Sequence, residues 1–394
     1  MTSSPAITQS EPARDVILLA VTGMSPAVLT ETIWALAQEQ PPVIPSRVIV
    51  LTTVRGRESL RTLFQPSPRL ESMTPWTALR RNLELQQRSL KGRLRFGETS
   101  DDIRVITAAD PASDQSVELS DLRTHADNEA TADFLLDQVR GLVENPDTDL
   151  VVSLAGGRKT MGALLYACLT LAGRETDRLT HVLVNEPFDT LRDFWFPGQP
   201  GGPIASRDGT IHDPGTAHLE LADVPFVPLR NLFLRELGRK AGNFSRLVDE
   251  CRERVRHAAG DNVRLTLWRS RCAVDVNGTC LSLSPREQLV LLFLATRVKQ
   301  GEPALGSYQL ALDPLEAFRT DLAASAPAGD FADWRHGDSV RARWTDDQDL
   351  RKAISGIRAK LRTGGGNAPL LIPCLPERGR FSLTVPRSLI FLQD

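Results

Sequence analysis

Continuous apolar runs alternate with helically spaced ones over roughly the first 200 residues, the pattern of a parallel sheet flanked by helices. Val16 to Val21, Arg47 to Val54, Ile103 to Thr107, the run opened by Asp149, and Thr180 to Asn185 read as strands. Val16 to Val21 is apolar at successive positions, as a strand buried on both faces must be. Pro26 to Gln40, Glu129 to Val143 and Met161 to Ala172 read as helices between these strands. A basic stretch with Arg80, Arg81, Arg88, Lys91, Arg93 and Arg95 fills the interval before the third strand and reads as a solvated helical face.

Two strand ends carry chemistry. Val151-Val152-Ser153-Leu154 runs through Ala155 into Gly156-Gly157-Arg158-Lys159-Thr160 and then a helix. Paired glycines let the backbone turn tightly and approach a ligand closely, and the first free N–H groups of the next helix attract an anion. Arg158 and Lys159 add positive charge where the helix dipole is already positive, which suits a phosphodiester. The plainer reading of the same residues is a strand-to-helix turn with two solvated basic side chains. Thr22-Gly23-Met24-Ser25-Pro26 follows the first strand in the same way, with Ser25 suited to an N-cap and Pro26 to the first helical position. In a doubly wound sheet both turns line one crevice, so Thr22 to Pro26 and Gly156 to Thr160 are expected to face a single ligand. A nucleotide-hydrolase loop is excluded, because G-x-x-x-x-G-K-[ST] needs Gly directly before the Lys and Arg158 stands there; no G-x-G-x-x-G occurs either.

Composition narrows the classes further. The chain has 394 residues, 41% hydrophobic and 24% charged, so two to three globular domains are expected. No apolar run approaches the roughly 18 residues needed to span a bilayer, and Met1 to Arg14 lacks the apolar core of a signal peptide. Those residues read as a disordered tail and the location as cytoplasmic, without a membrane partner. The five cysteines are scattered with no C-x-x-C or Cys/His spacing, so no metal, disulfide or cofactor is expected, and Cys168 reads as a buried hydrophobe. His125 reads as a surface histidine, since no nucleophile with a defined partner accompanies it. A net charge of −2 means that any nucleic-acid partner must be met by a local patch.

The segments LLAVTGMSPAVLTETIWAL, DLRTHADNEATADFL and LVVSLAGGRKTMGALLYACLTL, in that order, resemble the CARF (CRISPR-associated Rossmann fold) domain in its ring-nuclease branch. The resemblance covers about residues 15 to 200. It implies a Rossmann-like parallel sheet, a cyclic oligoadenylate ligand (the four-adenosine ring foremost), and a homodimer whose two-fold axis the ring straddles. It places Thr22, Gly23 and Ser25, with Met24 between them, in a first ligand loop. Gly157, Arg158, Lys159 and Thr160, preceded by Gly156, fall in a second. Ring opening then needs a ribose 2′-OH held in line with its own 3′-phosphodiester, charge stabilisation from Lys159 and Arg158, and Ser25 to orient the ribose. No general base is evident in the sequence.

Beyond a Pro- and Gly-rich stretch from Pro197 to Pro214 the pattern changes. The expected division is residues 15–215 for the CARF domain, 216–262 for a helical linker, and 263–394 for an α+β winged helix-turn-helix domain interrupted at 302–348. Arg252 and His257 satisfy the R-x4-H spacing of HEPN ribonucleases, but the helical segment is too short for that bundle. VDVNGTCLSLSPREQLVLLFLA resembles the start of a response-regulator winged helix, with Asn277-Gly278 as a hairpin turn. In Asp349 to Arg362, Leu350, Ile354, Ile357 and Leu361 share one helical face, and Arg351, Ser355, Arg358 and Arg362 the other, as a DNA-recognition helix requires. Leu371 to Val385, with Arg378 and Arg380, reads as the wing. From Asp349 to Arg380 there are seven Lys or Arg against two acids. The outputs left open are a ring nuclease, a ligand-controlled DNA-binding regulator that does not cut the ring, and a CARF-activated ribonuclease.

Overall fold

The computed structural model describes residues 15–97, 99–109, 115–232, 243–324, 343–377 and 379–394. The tail 1–14, Trp334 and Arg378 lie outside the described residues. The chain divides into two compact units, Met1–Leu247 and Val248–Asp394.

The first unit is built on a six-stranded sheet. β1 (Asp15–Val21) leads through α1 (Ala27–Gln38) to β2 (Arg47–Thr52), and α2 (Val54–Leu60) and α3 (Pro75–Leu85) precede β3 (Ile103–Val105). A small antiparallel pair, β4 (Thr107–Ala109) and β5 (Ser116–Glu118), comes next. The chain then returns through α4 (His125–Val143) to β6 (Thr148–Ser153), α5 (Lys159–Ala172) and β7 (Arg178–Val184). A second short pair, β8 (Ile204–Ala205) and β9 (Ile211–His212), precedes β10 (Leu219–Asp223). The sheet order is β10-β7-β6-β1-β2-β3, parallel throughout except for β10 against β7. This is a Rossmann-like α/β arrangement. β10 lies beyond the expected boundary at 215 and inside the span read as a helical linker; at five residues it is too short to stand out by periodicity.

Alternation along the strands divides the core. Leu18, Ala20, Val48, Val50 and Val151 point toward α1 and α3, where they meet Leu29, Ile33, Leu36, Trp76 and Leu79. Leu19, Ile49, Leu51, Leu150 and Val152, on the opposite side, are fully buried as well. α5 buries Met161, Leu165, Cys168, Leu169 and Ala172 at helical spacing and packs with α4. The strand order reverses between β1 and β6, since the chain builds outward to β3 on one side and then restarts on the other. A switch point of this kind opens a crevice at the carboxyl ends of the strands, where the loops after β1 and β6 emerge.

The second unit begins within α6 (Phe244–Asp261). Its sheet has the order β13-β12-β11-β14, from β11 (Leu265–Trp268), β12 (Ala273–Val276), β13 (Thr279–Ser282) and β14 (Ile390–Gln393). β11, β12 and β13 are antiparallel, with Asn277 and Gly278 both at positive φ in the expected hairpin turn, and β14 joins β11 in parallel. α7 (Pro285–Gln300), α8 (Leu312–Ala324) and α9 (Asp347–Thr363) complete it. α9 buries Leu350, Ile354, Ile357 and Leu361, the face expected from sequence. Leu371 to Val385 does not form a strand–turn–strand. Ala368–Cys374 is a 3-10 helix, and among the described residues the pairings from there to Val385 are isolated bridges, Glu377 with Arg380 and Leu305 with Phe381. Pro373 and Pro376 remove ladder donors there, and the strand that does join the sheet lies later, at Ile390–Gln393. No helix among the described residues is long and apolar enough to cross a membrane.

Candidate functional site

The loops after β1 and β6 meet at the switch point. A Cβ placed on Gly23 would lie 3.1 Å from the Gly157 Cα, closer than most Cβ contacts, so the two backbones run against each other here. Gly156 and Gly157 have φ of 125° and 72°, and this left-handed path turns the chain from β6 into α5. The first loop is tied down from its other side. The Thr22 N–H donates to the Leu51 carbonyl (3.2 Å), Thr52 Oγ1 donates to the Thr22 carbonyl (2.7 Å), and Ser59 Oγ donates to the Met24 carbonyl (3.1 Å). Thr22 Oγ1 is buried with no hydrogen-bond partner among the described residues. Met24 and Ser25 are exposed at the tip. The expected cap at Ser25 is not formed: α1 starts at Ala27, and Pro26, already helical at φ −68° and ψ −19°, holds the cap position. The Ser25 hydroxyl is therefore not consumed by the helix.

The second loop delivers Arg158 as the cap residue of α5, with Lys159 and Thr160 opening the helix. Arg158 does not point freely at a ligand. Its Nε and Nη2 donate to Asp121 Oδ1 and Oδ2 at 3.0 and 2.5 Å, and Arg123 (3.3 Å) and Arg55 (3.7 Å) approach the same carboxylate. The Asp121 carboxyl is held well below the usual carboxylate range, first by the Arg158 hydrogen bonds and against the opposing effect of burial. One carboxylate thus gathers three guanidinium groups and leaves a local excess of positive charge. The polar connection before α4 gave no hint of this, because Asp121 and Arg158 come together only through the fold. Lys159 is exposed and has no partner among the described residues.

These residues surround a cavity of about 810 Å³ lined by Thr22, Gly23, Ser25, Gly157, Arg158 and Asp121 among others. Met24 and Gly156 line it too, whereas Lys159 and Thr160 stand outside its lining. A second cleft, of about 960 Å³, shares Met24, Ser25, Ser59 and Gly156 with the first and extends over α1 to β7. It contains Glu31, which no sequence motif marks.

The family model for CRISPR-associated protein NE0113 matches residues 25–254 of this chain. The chain belongs to that family. The match starts at Ser25, after β1 and most of the first loop, and runs through α1 to β10 into α6, so it includes the second loop and Asp121. No curated protein matches the chain. Among solved structures, Enterococcus italicus Csm6 bound to cyclic hexa-2′-fluoro-hexa-dAMP is similar at 11% identity and a TM-score of 0.23, covering 92% of this chain and 60% of that one. The chain thus spans about three-fifths of that protein's length, and a likeness of this degree says nothing about the site.

The remaining candidates are placed as follows. His125, at the first position of α4, is 88% exposed and lies 3.4 Å from Glu129. Arg252 and His257 sit on the single helix α6, Arg252 paired with Asp249 at 3.1 Å and His257 4.0 Å from Glu253. On α9, Arg351, Ser355 and Arg362 are exposed. Arg351 nevertheless pairs with Asp347 at 2.9 Å, and half-buried Arg358 donates to the Pro376 carbonyl. Arg380 pairs with Glu253, and Lys360 with Glu287 at 2.6 Å. Of the basic residues counted along the sequence, Arg351, Lys352, Lys360 and Arg380 are thus paired with acids from α6, α7 and the start of α9.

Proposed function

We propose that this CRISPR-associated chain is a CARF-type sensor that binds cyclic oligoadenylate, foremost the tetra-adenylate ring, across the axis of a homodimer, and opens it without a metal. The observation that carries this reading is the contact of Gly23 with Gly157 at the switch point, which sets hydroxyls, free helix N–H groups and a basic cluster around one cavity. A phosphodiester fits that environment, with Thr22 supplying a buried hydroxyl that has no partner of its own. In the cleavage step a ribose 2′-oxygen bonds to the adjacent phosphorus as the P–O5′ bond breaks. The 2′-OH proton leaves to solvent, the 5′-oxygen takes one up, and the product is a linear strand ending in a 2′,3′-cyclic phosphate. Lys159, exposed beside Arg158 and without a partner among the described residues, would have to reach in from outside the cavity lining to stabilise the phosphorane charge, and Ser25 orients the ribose. Arg158 contributes through its remaining N–H edge while Asp121 fixes its position.

The test is incubation of the purified chain with cyclic tri-, tetra- and hexa-adenylate and chromatographic separation of products, with Lys159→Ala alongside. Linear products from one ring size, lost in the variant, are expected. Tight binding of a ring that is never cut would remove the nuclease and leave the sensor.

A second reading takes the C-terminal unit as a winged helix that binds DNA under ligand control. It is favoured by the exposure of Arg351, Ser355 and Arg362 along α9 and opposed by the ion pairs around them. Binding to duplex DNA that weakens steeply with salt and changes with ring ligand is its signature.

A further inference from the structure

Glu31 is an unusual resident of an α/β core. It lies on α1 one turn after Ala27, on the helix face that also carries Val28 and Ala35, and only 7% of its surface is exposed. Among the described residues its carboxyl has no hydrogen bond and no ion pair. It lines the 960 Å³ cleft, which begins at Met24, Ser25 and Gly156, the residues shared with the proposed phosphate cavity. Phe188, Phe194 and Trp195 form an apolar wall of the same cleft. A carboxyl buried to this extent costs free energy unless water in the cleft or a ligand completes its bonds.

The charges in the cleft do not mark a phosphate site. His181 from β7, and Asp189, Arg192 and Asp193 from the segment after it, share the lining with Glu31, and Arg69 approaches Asp193 at 3.8 Å, so the charges nearly balance and no basic cluster gathers there. β10 brings Leu219, and α3 brings Trp76 and Leu79, to the apolar clusters beside α1. Among the described residues no group of three or more His, Cys, Asp or Glu is placed to hold a metal ion. An uncharged, flat group bearing an amine suits the cleft, and it must be joined to a phosphate held next door.

We propose that this cleft takes one adenine base of the ring, with the neutral carboxyl of Glu31 donating its O–H to a ring nitrogen and accepting from the exocyclic amine. Adenine presents an acceptor and a donor side by side, N7 and N6–H2, and a neutral carboxyl presents the complementary pair. Guanine presents two acceptors on that edge, N7 and O6, which a neutral carboxyl satisfies only once and an ionised one not at all. Burial first, and then the nearby Asp189 charge, push the Glu31 carboxyl up to about 7, so the neutral form is available in the cell's pH range. The proposal rests on cyclic oligoadenylate being the ligand, and it adds a specificity residue, base discrimination and a pH dependence to that reading.

The experiment is calorimetric titration of the full chain with cyclic tetra- and hexa-adenylate at about pH 6 and about pH 8, for wild type, Glu31→Gln and Glu31→Ala. Wild type is expected to bind about tenfold more weakly at the higher pH, because ionisation removes the donor. Glu31→Gln keeps a donor and an acceptor at every pH, so its affinity is expected to stay at the wild-type low-pH value. Any pH dependence left in it belongs to His181 or the other groups of the cleft. Glu31→Ala, which loses both, is expected to be weaker at both pH values. Wild-type binding with an unchanged Glu31→Ala, or with Glu31→Gln following the wild-type pH profile, overturns the assignment of Glu31 and leaves the sensor standing. Failure of wild type to bind any ring overturns both.

Discussion

Asp121 and Glu31 are carboxyls of opposite character, and each sets a measurable pH dependence. Asp121 is ionised beside three guanidinium groups, so its pairing stabilises the fold in full above the ordinary carboxylate range and the contribution is lost as pH falls toward its lowered folded value. Asp121→Asn is expected to flatten the acid limb of the stability profile below about pH 4 and to free Arg158, which thermal melts across pH and ring-binding titrations would detect. If the acid limb is unchanged, the ion-pair account of Asp121 fails. Glu31 behaves in the reverse sense. Its folded value is raised, so the unfolded chain ionises first and stability declines between pH 4.5 and about 7, then levels off. In the absence of ligand, Glu31→Gln is expected to be more stable than wild type at pH 8, by at most about 3 kcal/mol, and to differ little at pH 4. Denaturant titration at both pH values checks this.

At the level of elements, capping decides where helices start more clearly than apolar spacing does. Thr124 and Asp127 form a reciprocal box that starts α4 at His125, four residues ahead of the first position suggested by periodicity. Ser284 and Glu287 form the same box on α7, with Glu287 Oε2 accepting from the Ser284 N–H at 2.6 Å. That same carboxylate pairs with Lys360, so one acid both starts α7 and fastens α9 to it. Ser284→Ala is therefore expected to cost about 1 kcal/mol, while Glu287→Ala should cost more because it also leaves Lys360 without its acid. Urea melts of the two variants would rank them, and equal losses would mean that the Lys360 pair adds nothing. The loop after β1 belongs to this scale too. Its backbone is held by Thr52 and Ser59 of neighbouring elements and not by a side-chain cap of its own, so the Ser25 hydroxyl is not used by α1.

For the whole molecule, the proposed ring ligand makes a prediction that no single residue does. A ligand with rotational symmetry contacts equivalent loops from two copies, so binding and dimerisation are linked. Sedimentation velocity with and without cyclic tetra-adenylate is expected to show a dimer in the ligand-bound state. Saturation at a hundred times Kd should stabilise the fold by about 2.7 kcal/mol, seen as a raised Tm. A ligand-bound monomer would count against the symmetric site. The 71%-exposed Met24 at the tip of the first loop fits a surface that meets a ligand or second copy.

The sequence by itself determined the succession of buried strands and helices, the glycine turn after β6, the Asn277-Gly278 hairpin and the buried face of α9. Each of these is a local property, written in the spacing of apolar residues or in the few residue types that tolerate a given φ. Only the tertiary structure decided the partners of the charged groups. Arg158 and Asp121 are 37 residues apart, Arg380 and Glu253 are 127 apart, and neither pairing leaves a mark on local pattern. Counting charges from Asp349 to Arg380 therefore suggested a free basic surface, whereas the fold brings Glu287 to Lys360 and Glu253 to Arg380. β10 and β14 were equally hidden, because neither stands in the strand–helix alternation or beside the Asn-Gly turn that marked the other short strands. Glu31 gives the sharpest contrast: it stands on the helix face of Val28 and Ala35, and long-range packing buries this acid and changes its chemistry.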